Sequence, residues 1–94
     1  LPKILADFPS VDAAARAVSR IIATGIVPAA LEMMDNATIR AIEASIYAAG
    51  YPVDAAAILL AEVDGPDLGL DEDAARIAQC CLDEQARGVR VAEA

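Results

Sequence analysis

The stretch that most restricts how this chain can fold is Ala56-Ala57-Ile58-Leu59-Leu60-Ala61-Glu62-Val63. It is apolar until Glu62, and Asp64-Gly65-Pro66 breaks it at a length that suits a strand. Strands read this way when they lie mid-sheet with much of both faces covered. Alternation puts Ala57, Leu59, Ala61 and Val63 on one face and Ile58, Leu60, Glu62 and Asp64 on the other. The first set can meet a layer of helices, which leaves Ile58 and Leu60 surplus to that layer. A bare apolar face is a liability. Cover could come from an added helix, from polypeptide this chain lacks or from a second copy; the expectation is absent polypeptide.

The rest of the chain supplies elements around that strand. Residues 4–8 form a short first strand, and Ser10 caps a helix whose stripe is Ala14, Ala17, Val18, Ile21 and Ile22. Asp12, Arg16, Ser19 and Arg20 fall on the other side, with Asp12–Arg16 as an i,i+4 pair. Gly25 and Pro28 end this helix. Ala29–Met34 reads as a second strand, with Leu31 and Met33 on one face and Glu32 and Met34 on the other. Asp35 or Asn36 can cap a further helix over 36–49, lined by Ile39, Ile42 and Ile46 and stopped by Gly50 and Tyr51-Pro52. A last helix is predicted from Asp71 to Ala86, with acidic residues at its start and Ala74, Ile77, Ala78, Cys81 and Leu82 as its stripe. Gly88 stops it, and Val89–Ala92 closes the chain as a strand.

The order β-α-β-(α)-β-α-β defines an α+β fold of the ferredoxin-like kind, one domain over residues 1–94. Right-handed crossovers give a four-stranded antiparallel sheet in the order 4-1-3-2, with helices mainly on one face. The extra helix between strands two and three departs from the plain pattern.

Fifteen acidic against seven basic side chains give a net charge of −8, which disfavours nucleic acid and anionic membrane surfaces as partners. No apolar run approaches the roughly 18 residues of a membrane span, and Leu1-Pro2-Lys3 does not open a signal peptide. Adjacent Cys80 and Cys81 are poorly placed to bond one another and read as reduced thiols of a cytoplasmic protein. The abrupt beginning and end suggest a piece of something longer.

Candidate chemistry is sparse. The chain has no histidine, which removes imidazole acid–base work and His-liganded metals. Its hydroxyls lie at caps or on helices without an apparent base, and Gly65-Pro66-Asp67-Leu68-Gly69 is a turn whose Pro66 lacks the N–H of a phosphate loop. No catalytic residue, metal ligand or firm cofactor contact emerges. Glu32 and Asp35 pair two carboxylates at a strand end, where Asp35 capping the next helix is the plainer account. Arg40 and Arg16 could grip an acidic ligand or simply be solvated charges. Met33-Met34 could line a flavin or substrate pocket or fill core.

Two strings carry a resemblance: Pro28-Ala29-Ala30-Leu31-Glu32-Met33-Met34-Asp35, and Ala49-Gly50-Tyr51-Pro52-Val53-Asp54-Ala55. With Ile58 to Gly65 they resemble the start of the C-terminal (cap) domain of FAD-linked oxidases, of the bacterial glycolate oxidase and D-lactate dehydrogenase type. The resemblance implies a larger flavoprotein whose N-terminal domain holds FAD and whose cap closes over it, and a small 2-hydroxyacid that passes a hydride to the flavin. The implied partners are the missing flavin-binding domain and the remainder of the cap, with a homodimer through the exposed sheet face as a further option. The parent is expected in the cytoplasm or peripheral to the inner membrane. Family residues that hold the acid and a metal, including a histidine motif, are expected beyond Ala94, so this piece binds no FAD and is inactive alone. Only Glu32, Met33, Met34, Asp35 and Asn36 match a family motif, as a border of the pocket. The rival reading is a free-standing ferredoxin-like module that binds a small ligand or a protein partner.

Overall fold

Ser10 starts the first helix as expected: its Oγ accepts the Ala13 N–H at 3.0 Å while its own backbone stays extended. The structure, a computed structural model, describes residues 1–64 and 69–93. Its elements are β1 (Pro2–Phe8), α1 (Val11–Ala23), β2 (Ala30–Asp35), α2 (Asn36–Glu43), β3 (Ala57–Glu62), α3 (Leu70–Asp83) and β4 (Gly88–Glu93). The expected break at Gly65-Pro66 lies outside the described residues.

All neighbouring strands pair antiparallel in the order β2-β3-β1-β4, which is the expected 4-1-3-2 read from the other margin. The apolar strand is therefore central. Ala57, Leu59 and Ala61 of β3, with Val63 just beyond it, join Ile4, Ala6 and Phe8 of β1 beneath α1 and α3. The helices contribute Ala13, Ala14, Ala17 and Ile21 on one side and Ala74, Ile77, Cys80 and Cys81 on the other. Small alanines let the helices sit close on the sheet, so a chain with three aromatic residues still forms a dense core.

The opposite face differs from expectation. Ile58 is fully buried, and residues of this chain bury it: Ile39 of α2 and Ala55 form a second cluster with it, flanked by Leu5, Met34 and Tyr51. No absent polypeptide is needed over Ile58. Leu60, one row along, stays half-buried.

α2 also stops earlier than its apolar spacing suggests. Ser45 Oγ accepts the Tyr47 N–H, and the Glu43 carboxylate accepts the N–H groups of Ala49 and Gly50 at 2.7 and 2.9 Å. These bonds turn the chain away after Glu43, so Ile46, expected on the apolar stripe, is 92 % exposed. In the same way Ile22 and Leu82 end outside the core, while Cys80 enters it.

Candidate functional site

The face that carries α2 is the side on which a ligand could be held. Its register sets Glu32, Leu60, Leu5 and Arg90 in one row and Met34, Ile58, Asp7 and Gly88 in the next. A third row holds Ala30, Glu62, Lys3 and Ala92. α2 closes the Met34–Ile58 end, and the Gly50–Pro52 segment crosses the face, leaving a groove on either side. One groove, about 310 Å³, is lined by Leu5, Asp7, Gly50, Pro52, Gly88 and Arg90. The other, about 220 Å³, has Leu60 as its floor, with Glu32, Tyr51, Lys3 and Glu62 around it.

Of the five residues singled out from the sequence, Glu32 lines a groove directly. Met34 shares its face but packs half-buried beside Ile58. Met33 points to the helix side of the sheet, opposite Leu59, as strand alternation requires. Asp35 caps α2: its Oδ1 accepts the Thr38 N–H at 2.9 Å, and the bonds from Thr38 hold its carboxyl below the usual range. Asn36 clamps two points of the loop that precedes β3. Its Nδ2 donates to the carbonyls of Val53 at 2.9 Å and Ala55 at 2.7 Å, and its Oδ1 accepts from Arg40 Nε at 2.9 Å. Met34, Asp35 and Asn36 thus do work that the sheet and α2 already require, while Met33 is 45 % exposed.

Two ion-pair centres escaped the sequence reading. Arg87, in the turn before β4, donates to Asp7 and reaches Asp54 with both terminal nitrogens. Its hydrogen bond and charge lower the Asp54 pKa, and Asp54 and Asp7 in turn raise that of Arg87. Arg16 and Arg20 both converge on Glu84, whose pKa falls through the Arg20 hydrogen bond first and the charges of both arginines after it. Arg16 therefore bridges α1 to the end of α3 rather than pairing with Asp12. Separations of 33 to 80 positions leave no local signal for such pairs.

Nucleophilic chemistry finds no support here. Burial pushes the Cys81 thiol up to about 12 and raises that of Cys80, so neither supplies thiolate near neutrality. Among the described residues no group of three or more acidic or cysteine side chains could hold a metal.

The described residues thus form an α+β sheet with one face under two long helices and one grooved face that carries α2. The chain belongs to the family described as FAD linked oxidases, C-terminal domain, whose profile matches residues 2–94. It is 52 % identical over 90 residues to the glycolate oxidase subunit GlcD of Escherichia coli (strain K12) and to that of Escherichia coli O6:H1. To the glycolate oxidase subunit GlcD of Bacillus subtilis (strain 168) it is 42 % identical over 90 residues. Each match covers 96 % of this chain but only 18 or 19 % of the relative, so the chain spans about a fifth of their length.

A flavin dinucleotide needs converging N–H groups or cations for its pyrophosphate. Here the guanidiniums of Arg16, Arg20 and Arg87 are engaged by Glu84, Asp7 and Asp54, while Arg90 lines the groove of about 310 Å³. No helix among them is long and apolar enough to cross a membrane.

Proposed function

We propose that this chain is the first part of the substrate (cap) domain of an FAD-dependent 2-hydroxyacid oxidoreductase of the glycolate oxidase or D-lactate dehydrogenase type. The observation that carries the reading is 52 % identity over 90 residues to a glycolate oxidase subunit, together with a family match along nearly the whole chain. In this reading the chain supplies scaffold: the doubly clamped β3 and the Asn36-held loop form a stiff wall, and Glu32 borders the space where the acid binds. FAD and the residues that move the proton belong to other parts of the polypeptide. This reading places the parent in the cytoplasm or peripheral to the inner membrane.

The test uses the longer polypeptide that contains this chain. It should purify with flavin absorbance and reduce a dye when given glycolate or D-lactate. A colourless protein, or a flavoprotein indifferent to all small 2-hydroxyacids, would overturn the reading.

A second reading, a free-standing ligand-binding module, draws on the burial of Ile58 by the chain's own α2. Calorimetry of the 94-residue chain with amino acids and hydroxyacids separates the two. Saturable heat would favour the module, and flat traces would remove it.

A further inference from the structure

Arg90 stands in β4 on the grooved face, opposite Leu5 of β1. The other cations on or beside that face are engaged: Lys3 by Glu62, Arg40 by Asn36, and Arg87 by Asp7 and Asp54. Arg90 has no hydrogen-bond or ion-pair partner among the described residues. The register explains why. Asp7 lies diagonally across the β1–β4 ladder from Arg90, where a long side chain can reach it. Arg87 takes that carboxylate instead, Nε to Oδ2 at 2.7 Å, and holds Asp54 as well. In a chain of net charge −8, one arginine thus occupies the acids that would otherwise neutralise the other.

The space in front of Arg90 is also kept clear. Gly50 and Gly88 line the groove of about 310 Å³ without side chains, and Leu5 and Pro52 give it apolar walls. A Cβ at Gly88 would meet Asp7 Oδ1 at 3.1 Å, so a larger residue there would press on the carboxylate that Arg87 holds. A concave, partly apolar site with one placed charge suits a small molecule. The groove across the Gly50–Pro52 crossing has the opposite character. Glu32 and Glu62 flank its Leu60 floor, and its Lys3 is bound to Glu62. An anion is repelled there and attracted at Arg90.

We propose that Arg90 is a substrate-binding residue of the parent enzyme, its guanidinium taking the carboxylate of a small 2-hydroxyacid in this groove. A planar fork matches a carboxylate with two parallel bonds. The contact adds to those expected beyond Ala94. It rests on the reading that the chain is part of an FAD-dependent 2-hydroxyacid oxidoreductase.

The experiment uses the full-length polypeptide with Arg90→Gln, Arg90→Lys and, as a control, Arg76→Gln, which removes an arginine from a separate depression beside α3. Dye reduction with glycolate is measured beside binding of oxalate, a carboxylate with no hydride to lose, read from flavin absorbance. Arg90→Gln should raise the glycolate KM and the oxalate Kd about tenfold or more, because a charged hydrogen-bonded pair loses one partner. Flavin content should hold, and kcat should stay within about twofold, the signature of lost uniform binding. Arg90→Lys keeps the charge without the fork and should recover part of the loss; it also serves if the glutamine variant misfolds, since KM must still rise severalfold. Arg76→Gln should change neither constant. Unchanged KM and oxalate binding in Arg90→Gln overturn the proposal. So does a fall in kcat at constant KM, or an equal loss in Arg76→Gln, which would identify a general charge effect. Wild-type protein that is colourless or inert to 2-hydroxyacids sinks the functional reading alone; calorimetric heat from oxalate that disappears in Arg90→Gln would then still support the contact, and heat that persists would overturn it. Flavin-loaded, glycolate-active protein indifferent to Arg90→Gln sinks this proposal alone.

Discussion

Arg87 donates from Nε to Asp7 Oδ2 at 2.7 Å across 80 positions of sequence, tying the end of β1 to the turn that leads into β4. The same guanidinium holds Asp54 beside the Gly50–Pro52 crossing. One arginine therefore pins the margin of the sheet to the loop that roofs the grooved face.

That pin and the Arg16–Glu84–Arg20 cluster make stability depend on acid. Asp54 and Glu84 titrate below their ordinary 3.8 and 4.5 in the folded chain, so near pH 4 the unfolded state binds more protons. The stabilisation is fully present above those ordinary values and is lost as pH falls through the lower folded ones. Urea midpoints should hold level from pH 7 to 5 and decline below about 4.5. Arg87→Gln should lower the midpoint at pH 7 and flatten the decline. A steeper decline in the variant would contradict the assignment.

Both faces of β3 are covered, so both should be sensitive. Leu59→Ala, beneath the two long helices, should cost about 2–5 kcal/mol, and Ile58→Ala, beneath α2, should fall in the same range. Leu60→Ala, in the half-open row, should cost clearly less. Chemical denaturation of the three variants checks the order. An Ile58→Ala loss no larger than that of Leu60→Ala would show that α2 does not seal this face.

Asn36 is a clamp before it is anything else. Removing its amide by Asn36→Ala leaves the Val53 and Ala55 carbonyls without their donor and frees Arg40, at a cost of about 1–3 kcal/mol. Hydrogen exchange should speed up in the 50–55 segment and remain unchanged in β1. Unaltered exchange there would remove the clamp.

Gln85 adopts φ +72, the left-handed position that follows a helix. Gln85→Gly should raise stability by about 0.5–1 kcal/mol, because glycine avoids the side-chain clash although it loses more freedom on folding. A lowered melting temperature would mean that the glutamine side chain makes a compensating contact.

How far the sequence speaks is visible element by element. Ser10 and Asp35 as caps, Gly25 as the left-handed stop and the apolar β3 are local or periodic signals, and each appears where it was expected. Chain order and crossover handedness then leave one economical sheet, and that sheet forms. Family membership was legible in the strings around Glu32 and Tyr51. The candidate site was less so. A carboxylate three residues from another looks the same in sequence whether it borders a pocket or caps a helix. The backbone N–H of Thr38 decides the matter for Asp35.

The sequence by itself determined the elements, their order and the central place of β3, because caps, breakers and apolar period act over a few residues. Tertiary structure alone decided that Ile39 covers Ile58, that Arg16 chooses Glu84 over Asp12, and that α2 ends at Glu43 and leaves Ile46 in water. Those outcomes depend on which distant surfaces meet and which polar groups must be satisfied once they do. Periodicity assigns a residue to a face, but only packing supplies the partner opposite it.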